Sequence, residues 1–152
     1  MQPSKRTEPI RLLDVNVLIA LTKSTHLHQD AALQWLASLP DGARWATCPL
    51  TELAYFRLMS NPAVAGGQHS IAVLAAILDG LGTVPRRTFL ADPTSLRSAR
   101  IDTTRIFGHK QVTDFHLINL AASSNAVLAT FDRRIAEALA PEDRKHVEII
   151  PV

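Results

Sequence analysis

The sequence predicts an α/β fold in which helices cover both faces of a central parallel sheet of four to five strands. Short apolar or β-branched segments alternate along the chain with longer segments whose apolar residues recur at helical spacing. This alternation is typical of parallel sheets, because a crossover helix returns the chain to the edge where the next strand starts. The length of 152 residues suits one sizeable core, so we expect a single domain over 1–152.

Five segments have the length and composition of strands. Ile10, Leu12 and Leu13 form the first apolar run, AVLAT at 126–130 forms another, and VEII at 147–150 is rich in β-branched residues. Each segment is short and separated from the next by a longer stretch of different periodicity. The predicted strands are 10–13, 44–48, 86–90, 126–130 and 147–150.

Six segments have helical periodicity. In the first, Leu27, Ala31 and Trp35 recur at intervals of four, and the second is opened by Thr51. The fourth is predicted from the spacing of apolar residues between 94 and 106. The predicted helices are 26–39, 50–60, 70–81, 94–106, 114–122 and 133–139. The stretches 60–70 and 108–114 indicate loops.

Composition excludes several classes of protein. Hydrophobic residues make up 47% of the chain and charged residues 20%, which is typical of a globular protein rather than a disordered one. No run of about 18 apolar residues exists, and MQPSKRTEPI lacks the apolar centre of a signal peptide, so we expect a cytoplasmic protein without membrane contact. The single cysteine, Cys48, is expected to be a small buried hydrophobe. A net charge of +2 is only weak support for a nucleic-acid partner.

Asp14 stands between two blocks of aliphatic residues in LLDVNVLIAL. A buried carboxylate must be protonated, hydrogen-bonded or bound to a cation. One interpretation is that Asp14 caps the following helix, which is common for aspartate. The other is that Asp14 belongs to a site.

Three further acidic residues lie where the predicted strands end. Glu52 and Asp132 follow strands, and Asp114 opens a helix after a short loop. Because ligands of open parallel sheets bind outside the carboxyl ends of the strands, these acids and Asp14 are expected to share one crevice, although each could be an independent cap. Converging carboxylates repel unless a cation is present, and Mg²⁺ or Mn²⁺ prefers such oxygen ligands.

Polar and basic residues flank these acids. Asn16, Thr113 and Thr130 could orient the carboxylates, or could serve only as turn and cap residues. Several cations near the acids could bind phosphates, although each could equally be a solvated charge. These are Arg57, Lys110, Arg133 and Arg134, with His109 and His116 nearby.

Four blocks of the chain resemble the PIN-domain ribonucleases, in particular the VapC toxins of bacterial toxin–antitoxin pairs. The blocks are LLDVNVLIAL, CPLTELAYFRLMSNPAV, GHKQVTDFHLINLA and LATFDRRI. Their order and spacing make the resemblance specific, and it extends from Arg11 to Val152. One departure is Phe115, where a small residue is more usual after the third acid.

The resemblance implies a PIN-like three-layer α/β/α fold and an acidic site formed by Asp14, Glu52, Asp114 and Asp132. Asn16 and Thr113 match its supporting polar positions, and Thr130 could join them. It implies an Mg²⁺-dependent endoribonuclease, with Mn²⁺ as a substitute, which cleaves structured RNA such as tRNA or rRNA by metal-activated water. The products carry a 3′-hydroxyl and a 5′-phosphate. It also implies a homodimer and a cognate VapB-type antitoxin. We expect the antitoxin to cover the apolar helices at 26–39 and 50–60.

Other functions are compatible with the same acids. They include a non-toxin PIN nuclease, a metal-dependent phosphatase or DNA nuclease on a similar sheet, and a binding module whose carboxylates are structural. A phosphatase that forms an aspartyl-phosphate would need an aspartate two residues after the first, where this chain has Asn16.

Overall fold

The structure, a computed structural model, describes residues 7–152. The first six residues of MQPSKRTEPI, the segment in which no signal peptide is expected, lie outside this range. Five parallel strands form one sheet in the order β3-β2-β1-β4-β5. The strands are β1 (Ile10–Leu13), β2 (Trp45–Thr47), β3 (Arg87–Phe89), β4 (Ala126–Thr130) and β5 (Val147–Ile149). All five predicted strands are therefore present, shortened at their ends in three cases.

Seven α-helices occur in the described part of the chain. They are α1 (Val15–Thr22), α2 (Gln29–Ala37), α3 (Pro49–Met59), α4 (Pro62–Ala65), α5 (Ile71–Leu81), α6 (Val112–Ser123) and α7 (Arg133–Ala138). The single turn α4 lies inside a stretch predicted as a loop, where Asn61 caps it and Gly66 ends it in the left-handed conformation with φ of 77°. A short 3₁₀ helix at Pro141–His146, which the sequence did not indicate, precedes β5.

The core is divided by the sheet into two layers, which completes a three-layer α/β/α architecture. On one face, α1 to α5 pack on strand residues such as Leu13, Trp45 and Ala129. On the other face, α6 and α7 pack on Leu12 and Leu128. The alternation of side chains along each strand assigns neighbouring residues to opposite faces. The predicted fold class, a parallel sheet of four to five strands between helical layers, is confirmed.

The prediction of a helix over 94–106 is wrong. The chain there contains only two 3₁₀ turns, Leu96–Ser98 and Thr103–Arg105. The reason is local hydrogen bonding: the Ser95 hydroxyl accepts from Arg97 N–H at 3.1 Å, and the Asp102 carboxylate accepts from Thr104 N–H at 2.9 Å. Such side chains compete with helical hydrogen bonds. The apolar residues of this segment still reach the core, since Ile101 is buried against the layer of α6.

Two simpler sequence expectations concern the burial of Cys48 and the presence of membrane-spanning helices. Cys48 is fully buried and precedes α3, as expected for a small hydrophobe. Within residues 7–152, none of the helices combines the length and apolarity that crossing a membrane requires.

Leu128 lies at the centre of the sheet and tests the packing of the core. It is fully buried in β4 and pairs in register with Leu12 and Val147. We expect Leu128→Ala to lower the free energy of unfolding by about 3 kcal/mol, because it leaves a cavity in a close-packed layer. Urea denaturation measures this. Leu27→Ala, at a position 88% exposed, is the control, and a change above about 0.5 kcal/mol there would contradict the assignment of the core.

Candidate active site

The order of the strands reverses between β1 and β4, the two central strands of the sheet. The chain runs from β1 outward to β3 on one side and from β4 outward to β5 on the other. A crevice therefore opens outside the carboxyl ends of these two strands, where ligands of such sheets bind. Asp14 follows β1, and Asp132 lies two residues beyond β4.

Asp14 is a buried carboxylate that is hydrogen-bonded on both oxygens. Its Oδ1 accepts from the Val15 N–H at 2.7 Å, and its Oδ2 accepts from the Thr130 hydroxyl at 2.7 Å. It is also the N-cap of α1. Burial raises the pKa of Asp14 above its ordinary value; the bonds from Thr130 and Val15 oppose the rise, and the negative charge of Asp132 adds to it. Asp14 is therefore a cap and a buried acid at once.

Thr130 links Asp14 to two further residues of the crevice. Because its hydroxyl proton is donated to Asp14, its oxygen can only accept from Asn16 Nδ2 at 3.2 Å and from the Asp132 N–H at 3.1 Å. This pattern sets the orientation of the Asn16 amide. Asn16 Oδ1 is then buried without a hydrogen-bond partner among the described residues. An unpaired buried carbonyl oxygen is costly unless a cation or water meets it.

Asp114 and Asp132 bring two more negative charges to the crevice. Asp114 lies in the first turn of α6, and Asp132 caps α7 through the Arg134 N–H at 3.0 Å. Burial and the charges of Asp14 and Asp132 raise the pKa of Asp114 to about 6. Hydrogen bonds from the Arg134 guanidinium, at 2.9 Å to each Asp132 oxygen, hold the pKa of Asp132 below its ordinary value. The three aspartates thus interact electrostatically.

Glu52, the fourth predicted acid, is turned toward other partners. It lies in the first turn of α3, and its Oε1 accepts from the Thr47 hydroxyl at 2.5 Å and from Arg87 Nη2 at 3.3 Å. Arg87 also donates to the Leu78 carbonyl at 3.1 Å and lies over the Trp45 ring. Sequence reasoning missed Thr47 and Arg87 as partners of Glu52. The basic pair at 86–87 was the available signal, but only the sheet places it beside α3.

A pocket of about 280 Å³ contains Asp114 and Asp132. Lys110 and Arg134, two of the predicted phosphate-binding residues, also line this pocket. Phe115 forms part of its wall and is buried in the core on the side of α6.

The remaining predicted residues lie elsewhere. Thr113 and Arg57 line a separate groove, and no side-chain hydrogen bond of Thr113 is found in residues 7–152. Arg133 is exposed at the start of α7. His116 pairs with Asp92 away from the three aspartates. The roles predicted for Thr113, Arg57 and Arg133 stay predictions.

The donor atoms of the crevice fit a hard divalent cation. They are carboxylate oxygens whose mutual repulsion a cation would relieve, together with the unpaired carbonyl of Asn16. Their present arrangement is not a ready-made cluster: in the described chain, no three His, Cys, Asp or Glu side chains are grouped closely enough to hold a metal. Two of the acids are ion-paired instead, Asp132 with Arg134 and Glu52 with Arg87. A cation bound by these acids would have to compete with the two ion pairs.

Comparison with known proteins addresses the family. The family model described as PIN domain matches residues 11–139. The chain belongs to the PIN domain family.

Three curated relatives come from Mycobacterium tuberculosis. Ribonuclease VapC38 is 36% identical over 141 residues, covering 93% of this chain and 98% of the relative. Ribonuclease VapC39 is 40% identical over 129 residues, covering 84% and 91%. Ribonuclease VapC29 is 38% identical over 125 residues, covering 82% and 87%.

These matches confirm the resemblance that the four sequence blocks indicate. The match to the family model includes all four predicted acids of this PIN domain, its strands β2 to β4 and all of β1 except Ile10. The five-stranded parallel sheet between two helical layers is consistent with the PIN fold.

Removing the charge of Asp114 tests the repulsion in the crevice. Because the folded pKa of about 6 lies above the ordinary value of 3.8, ionisation of Asp114 destabilises the folded state. Stability is therefore lost as the pH rises through this window. In EDTA at pH 7.5 we expect the free energy of unfolding of Asp114→Asn to exceed that of the parent protein by about 1 kcal/mol. This figure allows for solvent screening of a partly exposed group.

The gain from Asp114→Asn should shrink as the pH falls through 6 toward 4, which urea denaturation at several pH values measures. Asp41→Asn, in an exposed loop, is the control and should change stability by less than about 0.5 kcal/mol throughout. An Asp114→Asn gain that does not vary with pH would contradict the repulsion.

Proposed function

We propose that this PIN domain is the toxin of a toxin–antitoxin pair and an endoribonuclease that hydrolyses RNA phosphodiester bonds with Mg²⁺, or with Mn²⁺ in its place. The observation that carries the proposal is the convergence of Asp14, Asp114 and Asp132 at the point where the strand order reverses. Relatives named ribonucleases, matched over more than four-fifths of the chain, support the choice of RNA.

Asp14, Asp114 and Asp132 would hold the cation, with Glu52 joining them if it leaves Arg87. A bound Mg²⁺ supplies charge neutralisation and lowers the pKa of a water that attacks phosphorus. Asp14 is the most buried of these candidate ligands, and both of its oxygens are hydrogen-bonded. Thr130 keeps it in place, and Asn16 Oδ1, on the residue that donates to Thr130, stays buried without a partner among the described residues.

The reaction we propose is attack of water on a backbone phosphorus with cleavage of the bond to the 3′ oxygen. The products then carry a 3′-hydroxyl and a 5′-phosphate. Lys110 and Arg134 line the pocket that contains Asp114 and Asp132. We propose that their cationic groups bind the phosphates that flank the cut, Arg134 once it leaves its ion pair with Asp132. We propose structured RNA such as tRNA or rRNA as substrate, because unpaired loops present a backbone that can enter such a crevice.

The proposed partner is a VapB-type antitoxin. The structure has an apolar groove of about 510 Å³ shared by α3 and α5, rather than by the two helices at 26–39 and 50–60 expected from the sequence. Leu53 and Ile71 line it and are 65% and 56% exposed, and Thr113, next to Asp114, lines it as well. An amphipathic antitoxin segment in this groove would reach the crevice. The homodimer implied by the resemblance stays a prediction.

Asp14→Asn separates a catalytic role from capping. Asparagine caps helices about as well as aspartate, so a purely structural Asp14 predicts little change in stability and intact cleavage. We expect cleavage of total RNA in Mg²⁺ to fall by about two orders of magnitude or more, because an anionic ligand is lost. The stabilisation of the protein by added Mg²⁺ should shrink in thermal melts as well.

The matched control for Asp14 is Asp102, which caps the 3₁₀ turn Thr103–Arg105 through the Thr104 N–H. Asp102→Asn should leave cleavage and the Mg²⁺ response unchanged. A fully active Asp14→Asn enzyme would refute the proposed mechanism. Absence of EDTA-sensitive cleavage by the parent protein, with any divalent metal, would favour a binding module.

Introducing a carboxylate into the apolar groove tests whether the antitoxin binds there. We expect Leu53→Asp to weaken binding of the co-expressed antitoxin by roughly tenfold or more, because a carboxylate would be buried against an apolar segment. Leu33→Asp, at an exposed position of α2, is the control and should leave binding unchanged. Titration calorimetry compares the two variants. Loss of binding only in Leu33→Asp would show that the antitoxin binds at α2 and not in the groove.

A further inference from the structure

Phe107 is the most exposed aromatic side chain of the described residues. It is 82% exposed and lies between the 3₁₀ turns Thr103–Arg105 and His109–Gln111. A ring left in water gains nothing for the fold, since it buries almost none of its apolar surface. A single exposed apolar side chain is common at protein surfaces, so the surroundings of Phe107 have to carry the argument.

The backbone that carries Phe107 is held on both sides. Its N–H donates to Gln111 Oε1 at 2.8 Å, and the Gln111 N–H donates to the Gly108 carbonyl at 3.0 Å. On the other side, Arg105 Nε donates to the Ala138 carbonyl at 3.4 Å. The ring is therefore presented from a loop that is already ordered, which lowers the entropy lost when a ligand binds.

The same hydrogen bonds tie the loop that carries Phe107 to two residues of the acidic pocket. Gln111 and Ala138, which the loop contacts, both line the pocket that contains Asp114 and Asp132. Lys110 also lines this pocket, and it is exposed three residues after Phe107. An exposed ring is thus carried by the loop that leads into the pocket lining, three residues before a cation of that lining.

We propose that Phe107 is a stacking platform for one unpaired base of the RNA, beside the phosphate that is cut. The inference rests on the proposed function and adds a determinant of substrate choice. Proteins that bind single-stranded nucleic acid combine aromatic faces with cations that track the backbone. The cation of Lys110 favours a nucleotide over an apolar protein segment, because it would then face phosphate. A paired base in a duplex cannot offer its face, so Phe107 selects loops.

The Phe107→Trp variant turns this position into a reporter. Both native tryptophans are buried, Trp35 at 8% exposed and Trp45 at 1%, so the new indole is the exposed one. In EDTA, where cleavage is blocked, we expect saturable quenching of its fluorescence by a short single-stranded RNA. The same strand annealed to its complement, and inorganic phosphate alone, should quench little. Thermal melts establish that the variant is folded.

Leu33→Trp is the matched control, because Leu33 is 45% exposed and lies by Pro85 and Arg86 at the opposite edge of the sheet. Its fluorescence should not respond to RNA. Equal quenching in both variants, equal quenching by duplex and single strand, or quenching of Phe107→Trp by purified antitoxin but not by RNA would overturn the proposal.

Cleavage kinetics provide an independent measure. We expect Phe107→Ala to raise KM about tenfold at nearly constant kcat, and Phe107→Tyr to restore the parent KM, because a tyrosine ring stacks equally well. An unchanged KM in Phe107→Ala would refute the stacking role. If the parent protein cleaves no RNA, the proposed function fails by that result alone, whereas the fluorescence titration still decides whether Phe107 binds a base.

Discussion

The hydrogen bond from the Thr130 hydroxyl to Asp14 Oδ2 joins the carboxyl ends of β1 and β4, and the site is arranged around it. A carboxylate this deeply buried is tolerated only if its oxygens find partners. The Val15 N–H supplies one and Thr130 supplies the other. Since the Thr130 proton is thereby committed, Thr130 can only accept from Asn16 and from the Asp132 backbone. One buried charge therefore determines the orientation of several neighbours.

The four acids proposed for catalysis also serve the fold of this molecule. Each of the four lies at the amino end of a helix, where the partial positive charge of the helix favours a carboxylate. Because the parallel strands all end at one edge, the helices that follow them begin there as well. Local capping preferences thus bring negative charges together without any contact between them being required. The repulsion that results is the property from which cation binding would draw its free energy.

Sequence alone predicts the strands, the parallel sheet and the acids, because these depend on local composition and on one topological rule. It fails over 94–106, where the spacing of Leu96, Ala99, Ile101 and Ile106 is helical but Ser95 and Asp102 bind their own backbone instead. It also places Glu52 in the crevice without foreseeing Arg87, 35 residues away, which draws it aside. Tertiary ion pairs of this kind leave no periodic trace in a sequence.

The two edge strands of the sheet, β3 and β5, contain three residues each. Pro85 and Arg86 precede β3, with Arg86 in the left-handed conformation at φ of 70°, and Pro151 follows soon after β5. Short edges bounded by proline or by turned backbone expose few free N–H and C=O groups to a foreign strand. The apolar side chains exposed on the helices can therefore serve recognition while the sheet itself resists nucleating aggregation.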